Sequence, residues 1–162
     1  MNFPAILNIL AHVIKYELLL LLIPFAVALF YGQGDASAFL YTILIMLPIS
    51  IILTRVKGKK KEIYAKEGFL TVGLAWIVIS FFGALPFVFN GAIPSFIDAF
   101  FETSSGFTTT GASILTEIQS LPKGILFWRS FTHWVGGMGF LIFILALMPS
   151  FGGNTIHLLK AE

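Results

Sequence analysis

The feature that most constrains this chain is a series of long apolar stretches, at residues 5–31, 36–53, 69–89 and 125–148. A hydrocarbon core of about 30 Å takes around 20 helical residues to cross, and each stretch approaches or exceeds that length. Backbone polar groups in lipid must be satisfied internally, so such stretches cross as helices. The first carries Pro24, with Lys15 and Glu17 towards its start, and the second is short and carries Pro48. Charged residues make up 11% of the 162 and hydrophobic ones 57%, against about 25% charged in an ordinary soluble domain. So few charges cannot coat a globule, which leaves the lipid bilayer as the solvent for much of the surface. The chain has no cysteine, which excludes disulfide frameworks and thiolate metal sites. The first stretch reads as a retained helix. Lys15 follows its first apolar turns, and Gly32-Gln33-Gly34-Asp35 makes a poor cleavage site for a leader.

Charge placement sets the orientation. Five of the ten basic residues crowd into Arg55-Val56-Lys57-Gly58-Lys59-Lys60-Lys61, and basic loops stay on the cytoplasmic side. The 55–66 loop is therefore expected inside, with 32–35 and 90–124 outside and both termini cytoplasmic. The run is a topogenic loop at anionic headgroups, with docking to a cytoplasmic regulator as the sharper alternative.

Residues 90–120 break the pattern of crossings. Turn residues Asn90-Gly91-Ala92-Ile93-Pro94 come first. Ser95 and Asp98 then have the spacing of a helix N-terminal cap ahead of a short apolar stretch ending near Gly106. Gly106 is expected to end that helix in the left-handed conformation. Ten or so residues at 1.5 Å each make about 15 Å, half a bilayer. The segment is a re-entrant half-helix or an external loop. A hydroxyl-rich stretch follows, Thr108-Thr109-Thr110-Gly111.

Irregular backbone at membrane depth is tolerated where it lines a pore or is buried in protein. A line of backbone carbonyls can replace the hydration shell of a monovalent cation. Threonine favours extended backbone through β-branching, and its hydroxyl adds oxygen without charge. Gly111 admits backbone angles closed to other residues, and the half-helix directs its negative end at the cation path. Taken alone, Thr-Thr-Thr-Gly is common, and a polar external loop is its plain reading. Its place after a capped half-helix and between two spanning stretches favours a filter.

In chain order, Lys66-Glu67-Gly68-Phe69-Leu70, Gly83-Ala84-Leu85-Pro86-Phe87, Asp98-Ala99-Phe100-Phe101-Glu102, Thr108-Thr109-Thr110-Gly111-Ala112 and Trp134-Val135-Gly136-Gly137-Met138-Gly139 follow one another. This series resembles the landmarks of the membrane subunit of Trk-type bacterial potassium uptake transporters, of the Trk/Ktr/HKT superfamily. The resemblance covers essentially the whole chain. It implies an all-α integral membrane fold of the bacterial inner membrane, with two leading transmembrane helices (1–66), one membrane–pore–membrane unit (67–149) and a cytoplasmic tail (150–162). It implies potassium as the transported ion, held mainly by backbone carbonyls of Thr109 and Thr110, with Gly111 as the filter glycine and Thr108 at the inner end. It further implies four such units in one polypeptide, a dimer of full subunits and a cytoplasmic nucleotide-binding regulatory subunit; no nucleic-acid partner is expected. One pore unit supplies a quarter of an ion cage. The remaining repeats come from a longer polypeptide or from copies assembling around an axis. Gly111-Ala112-Ser113 departs from the Gly-Tyr-Gly of tetrameric potassium channels, which implies fewer ion sites.

Other residues divide between function and structure. Glu102 in the half-helix and Arg129 near the outer end of the fourth stretch are expected to pair and brace the filter, or to be solvated separately at the interface. Gly136, Gly137 and Gly139 suit close helix packing, with a gating hinge as the alternative. His133 reads as a structural histidine. Trp76, Trp128 and Trp134 read as interfacial or packing aromatics. An intramembrane hydrolase using Ser104 or Ser105 with His133 is the rival from another class, but the serine-elbow motif is missing. A non-conducting membrane scaffold is the third reading.

Overall fold

The structure, a computed structural model, describes residues 3–55 and 65–147. Residues 56–64 of the basic loop and the expected tail lie outside that description. All regular structure among the described residues is helical: α1 (Phe3–Tyr31), α2 (Ala36–Thr54), α3 (Ala65–Gly83), α4 (Leu85–Asn90), α5 (Phe96–Phe107) and α6 (Lys123–Leu147). Three spans are long and apolar enough to cross a membrane, Phe3–Tyr31, Ala36–Thr54 and Glu67–Asn90. α6, at 25 residues, is about 38 Å long and has the length for a fourth crossing.

The helices form because nearly every position is apolar and lipid offers the backbone no other partner. Which face turns inward is a separate matter. On α1 the buried face runs through Ile6, Leu10, Ile14, Glu17, Leu21, Pro24 and Ala28, three or four apart, with Ala11 beside Leu10, while Leu19, Leu22, Leu29 and Phe30 are exposed. On α2 the inward face is Phe39, Thr42, Met46 and Ser50. The two helices form an antiparallel pair joined by the turn at Gly32-Gln33-Gly34-Asp35, and the pair packs on α3, α4 and α6. Buried hydroxyls bond back to the carbonyl four residues earlier, Thr42 to Ala38 at 2.8 Å and Thr71 to Glu67 at 2.6 Å. This spares them a distant partner.

The stretch expected as one helix over 69–89 is broken. α3 ends at Gly83 and α4 begins at Leu85. Pro86 is the cause: it has no N–H for the Phe82 carbonyl, and its ring crowds that carbonyl. The chain re-registers, with the Phe87 N–H donating to Ala84 O at 3.1 Å. The Gly83 carbonyl, deprived of its usual donor, accepts instead from the indole N–H of Trp128 at 2.9 Å. Trp128 is 1% exposed, so it belongs to the core rather than the interface. A left-handed Gly91 (φ 79°) then stops α4.

Candidate ion-filter site

α5 is positioned from both ends. At its start the Ser95 hydroxyl accepts from the Asp98 N–H at 3.5 Å, the cap expected from the sequence. Its 12 residues reach about 18 Å, too short to span. It packs between α3 and α6, burying Ala99, Glu102, Thr103, Ser105, Gly106 and Phe107. The helix runs through Gly106, which corrects the expectation of a left-handed stop there. Gly106 is buried at a helix crossing, where a Cβ would strike the Thr132 side chain. Gly136 repeats this one turn along α6: a Cβ there would lie 2.8 Å from the Phe107 Cα. Contact this close requires small residues. Gly139 faces the Trp76 ring, and Gly137 has only the Thr109 methyl near it, at 3.8 Å.

After Phe107 the backbone folds back onto the helix end. The N–H groups of Thr108, Thr109, Thr110 and Gly111 donate to Ser104 O (2.9 Å), Gly106 O (3.0 Å), Ser105 O (3.0 Å) and Ser105 O (3.5 Å). The hydroxyls tighten the same turn. Thr108 Oγ1 donates to Ser104 O at 2.7 Å and lies 2.8 Å from Thr110 Oγ1, and Ser105 Oγ donates to Ala112 O at 2.6 Å. Thr109 has φ 56° and Gly111 φ 76°, with Thr110 between them on the ordinary side. The expectation of extended backbone is therefore corrected. The amides seek the free carbonyls that every helix end presents, and that pull overrides β-branching. A β-branched residue at positive φ is a genuine outlier, of the kind concentrated at functional sites. With the amides bound behind them, the carbonyls of Thr109, Thr110 and Gly111 accept no hydrogen bond among the described residues. All three residues are exposed.

Glu102 anchors the far side of this turn. Its side chain is 1% exposed, and Oε1 accepts from Arg129 Nε at 2.7 Å. The Ser113 hydroxyl donates to both carboxylate oxygens at 3.0 Å, and the Ile114 N–H donates to Oε2 at 3.0 Å. Such a complement of donors and a counter-charge offsets the cost of burying a charged carboxylate. Of the two alternatives for Glu102 and Arg129, the structure contains the pair. It ties α5, α6 and the residues just past Gly111 into one unit.

The other named residues fall elsewhere. His133 Nδ1 lies 2.9 Å from Arg129 O, one turn back on its own helix. Neither Ser104 nor Ser105 hydrogen-bonds to His133 among the described residues. Trp134 is exposed and stacks on Phe131. Glu17, half-way along α1, is buried, and neither of its carboxyl oxygens has a hydrogen-bond partner among the described residues. It lines an otherwise apolar cavity of about 210 Å³ with Phe107, Trp128 and Val135. The contact of Ser113 with Glu102 is one that sequence spacing does not announce. The one available signal was a polar cluster in an otherwise apolar chain.

These elements define an α-helical membrane protein in which a short helix and a strained turn lie between two long helices. The chain matches the TrkH family, described as cation transport protein, over residues 36–162. It is 41% identical to the Trk system potassium uptake protein TrkH of Escherichia coli, over all of this chain and 34% of that protein. It is 34% identical to an uncharacterized cation transporter of Methanocaldococcus jannaschii, over 95% of this chain and 32% of that protein. The crystal structure of the potassium transporter TrkH from Vibrio parahaemolyticus superposes with a TM-score of 0.86 at 33% identity, covering 99% of this chain and 36% of that one. The chain belongs to the TrkH family of cation transport proteins. It spans about a third of the length of the curated relatives it matches.

Proposed function

We propose that this chain carries potassium ions across the bacterial inner membrane, as one of four repeats around a shared pore. The observation that carries the reading is the turn after α5. Its four N–H groups are bound back into the helix end, and the carbonyls of Thr109, Thr110 and Gly111 accept no hydrogen bond among the described residues. Thr109 and Gly111 take positive φ with Thr110 between them on the ordinary side, an alternation of the kind that turns successive carbonyls toward one side. Carbonyl oxygens so arranged substitute for water around a weakly hydrated cation. The C-terminal end of α5 adds negative potential behind them. Thr109 and Thr110 are the principal ligands, Gly111 supplies the turn, Thr108 sits at the inner end, and Glu102 with Arg129 holds the frame. No covalent chemistry is required. The names of the relatives, potassium uptake proteins, support the choice of ion.

The open side of the turn faces the axis, where the remaining repeats, contributed by the longer polypeptide, complete the cage. The boundaries proposed are the two leading helices with the basic loop over 1–66, the membrane–pore–membrane unit over 67–149 and a tail over 150–162. Both termini face the cytoplasm, and the full subunit works as a dimer with a cytoplasmic nucleotide-binding regulator. The test is Gly111→Ala in the full-length transporter, expressed in cells lacking other potassium uptake. The φ of 76° strains any side chain at this position. Uptake is expected to lose affinity for potassium and discrimination against sodium; uptake with both unchanged would overturn the reading.

A further inference from the structure

The turn between α1 and α2 reaches across the molecule to the first turn of α6. Gln33 Oε1 accepts from the Lys123 N–H at 2.7 Å, and Asp35 Oδ2 accepts from the Ile125 N–H at 3.3 Å, each across 90 residues of sequence. Asp35 is fully buried. It occupies the N-cap position of α2 yet makes no side-chain cap bond to its own helix. Its carboxylate caps a different helix. Gly124 lies between the two bonds, where a Cβ would sit 2.6 Å from the Ala28 Cβ, so the glycine is what lets α6 approach this closely. An acidic group at a helix start also meets the positive end of its dipole. One turn further along α6 comes Arg129, whose guanidinium holds Glu102, and Glu102 holds Ser113 and Ile114.

We propose that Gln33 and Asp35 are positioning residues of the filter. The leading helix pair clamps the outer end of α6, and α6 through Arg129 and Glu102 fixes the backbone just past Gly111. The two leading helices thereby set ion affinity as well as anchoring the protein. The inference rests on the filter reading at Thr108-Thr109-Thr110-Gly111 and adds a control on it from outside the pore unit.

The test uses the full-length transporter, with uptake kinetics normalised to the amount of protein in the membrane. Asp35→Ala is expected to raise KM for potassium roughly fivefold, the scale of one lost cap, and to weaken discrimination against sodium. Vmax per transporter should change less. Asp35→Asn keeps an oxygen for the Ile125 N–H and is expected to restore most of the discrimination. A purely structural role would lower the amount of protein and leave KM and discrimination at their original values in what remains; that result overturns the proposal. If Asp35→Ala does not accumulate, Gln33→Ala removes the neighbouring bond and is read the same way. If Gly111→Ala impairs selectivity while Asp35→Ala and Gln33→Ala leave it unchanged, this inference alone fails. If Gly111→Ala is also silent, the filter reading fails first.

Discussion

Removing either partner of the Glu102 and Arg129 pair tests the frame of the site most directly. Glu102 is 1% exposed and receives its hydrogen bonds from Arg129, the Ser113 hydroxyl and the Ile114 N–H. Arg129→Gln strands the carboxylate without its counter-charge, which costs about 3–5 kcal/mol for a buried pair. Glu102→Gln removes the charge but turns one acceptor oxygen into a donor among donors. At about 1.5–3 kcal/mol for each bond to a charged group, its cost is similar. The double variant leaves two amides able to bond each other, and the side-chain carbonyl introduced at position 102 can still accept from Ile114. It should cost about 2 kcal/mol less than the sum of the singles, within the range of coupling between contacting residues. The assay is thermal unfolding of the detergent-solubilised full-length transporter, with and without potassium. A ligand bound only by the folded state raises the melting temperature, so each single variant should also blunt the rise that potassium produces. Single costs below about 1 kcal/mol that simply add would match an exposed pair, and the reasoning would be refuted.

Two further outcomes follow from packing. Gly136→Ala forces a methyl against the backbone of Phe107 and should destabilise by about 1–3 kcal/mol, whereas Gly137→Ala, with only the Thr109 methyl at 3.8 Å, should be near neutral in the same melts. A hinge role for these glycines would instead leave both variants stable and change gating. Trp128→Phe keeps the ring in the core but leaves the Gly83 carbonyl without a donor, at a cost of about 1–3 kcal/mol. Equal melting temperatures for this variant and the parent would show that the helix break satisfies itself another way.

Much of the architecture was legible because its causes are local. The Ser95 cap and the length of α5 follow from spacing alone, and the place of the Thr-Thr-Thr-Gly turn between long apolar stretches singled it out. The left-handed Gly111 follows from a residue type that tolerates it. The failures also have physical causes. Gly106 looked like a helix stop because glycine has two uses, and only the position of Thr132 decides between them. Threonine's preference for extended backbone lost to the unpaired carbonyls at the end of α5. The consequence of Pro86 was readable in principle, but the donor that repairs it, Trp128, lies on α6.

The amino-acid sequence by itself determined that this chain is helical and membrane-embedded, how many stretches are long enough to cross, and where a short helix and a hydroxyl-rich turn interrupt them. Hydrophobic length and local capping are enough for that, since lipid leaves the backbone no alternative. Tertiary structure alone decided which faces turn inward, because helices apolar on every side carry no periodic signal. It also decided that Glu102 meets Arg129 and that Asp35 caps α6. Those contacts join polar groups far apart in sequence, each needing a partner that local spacing cannot supply.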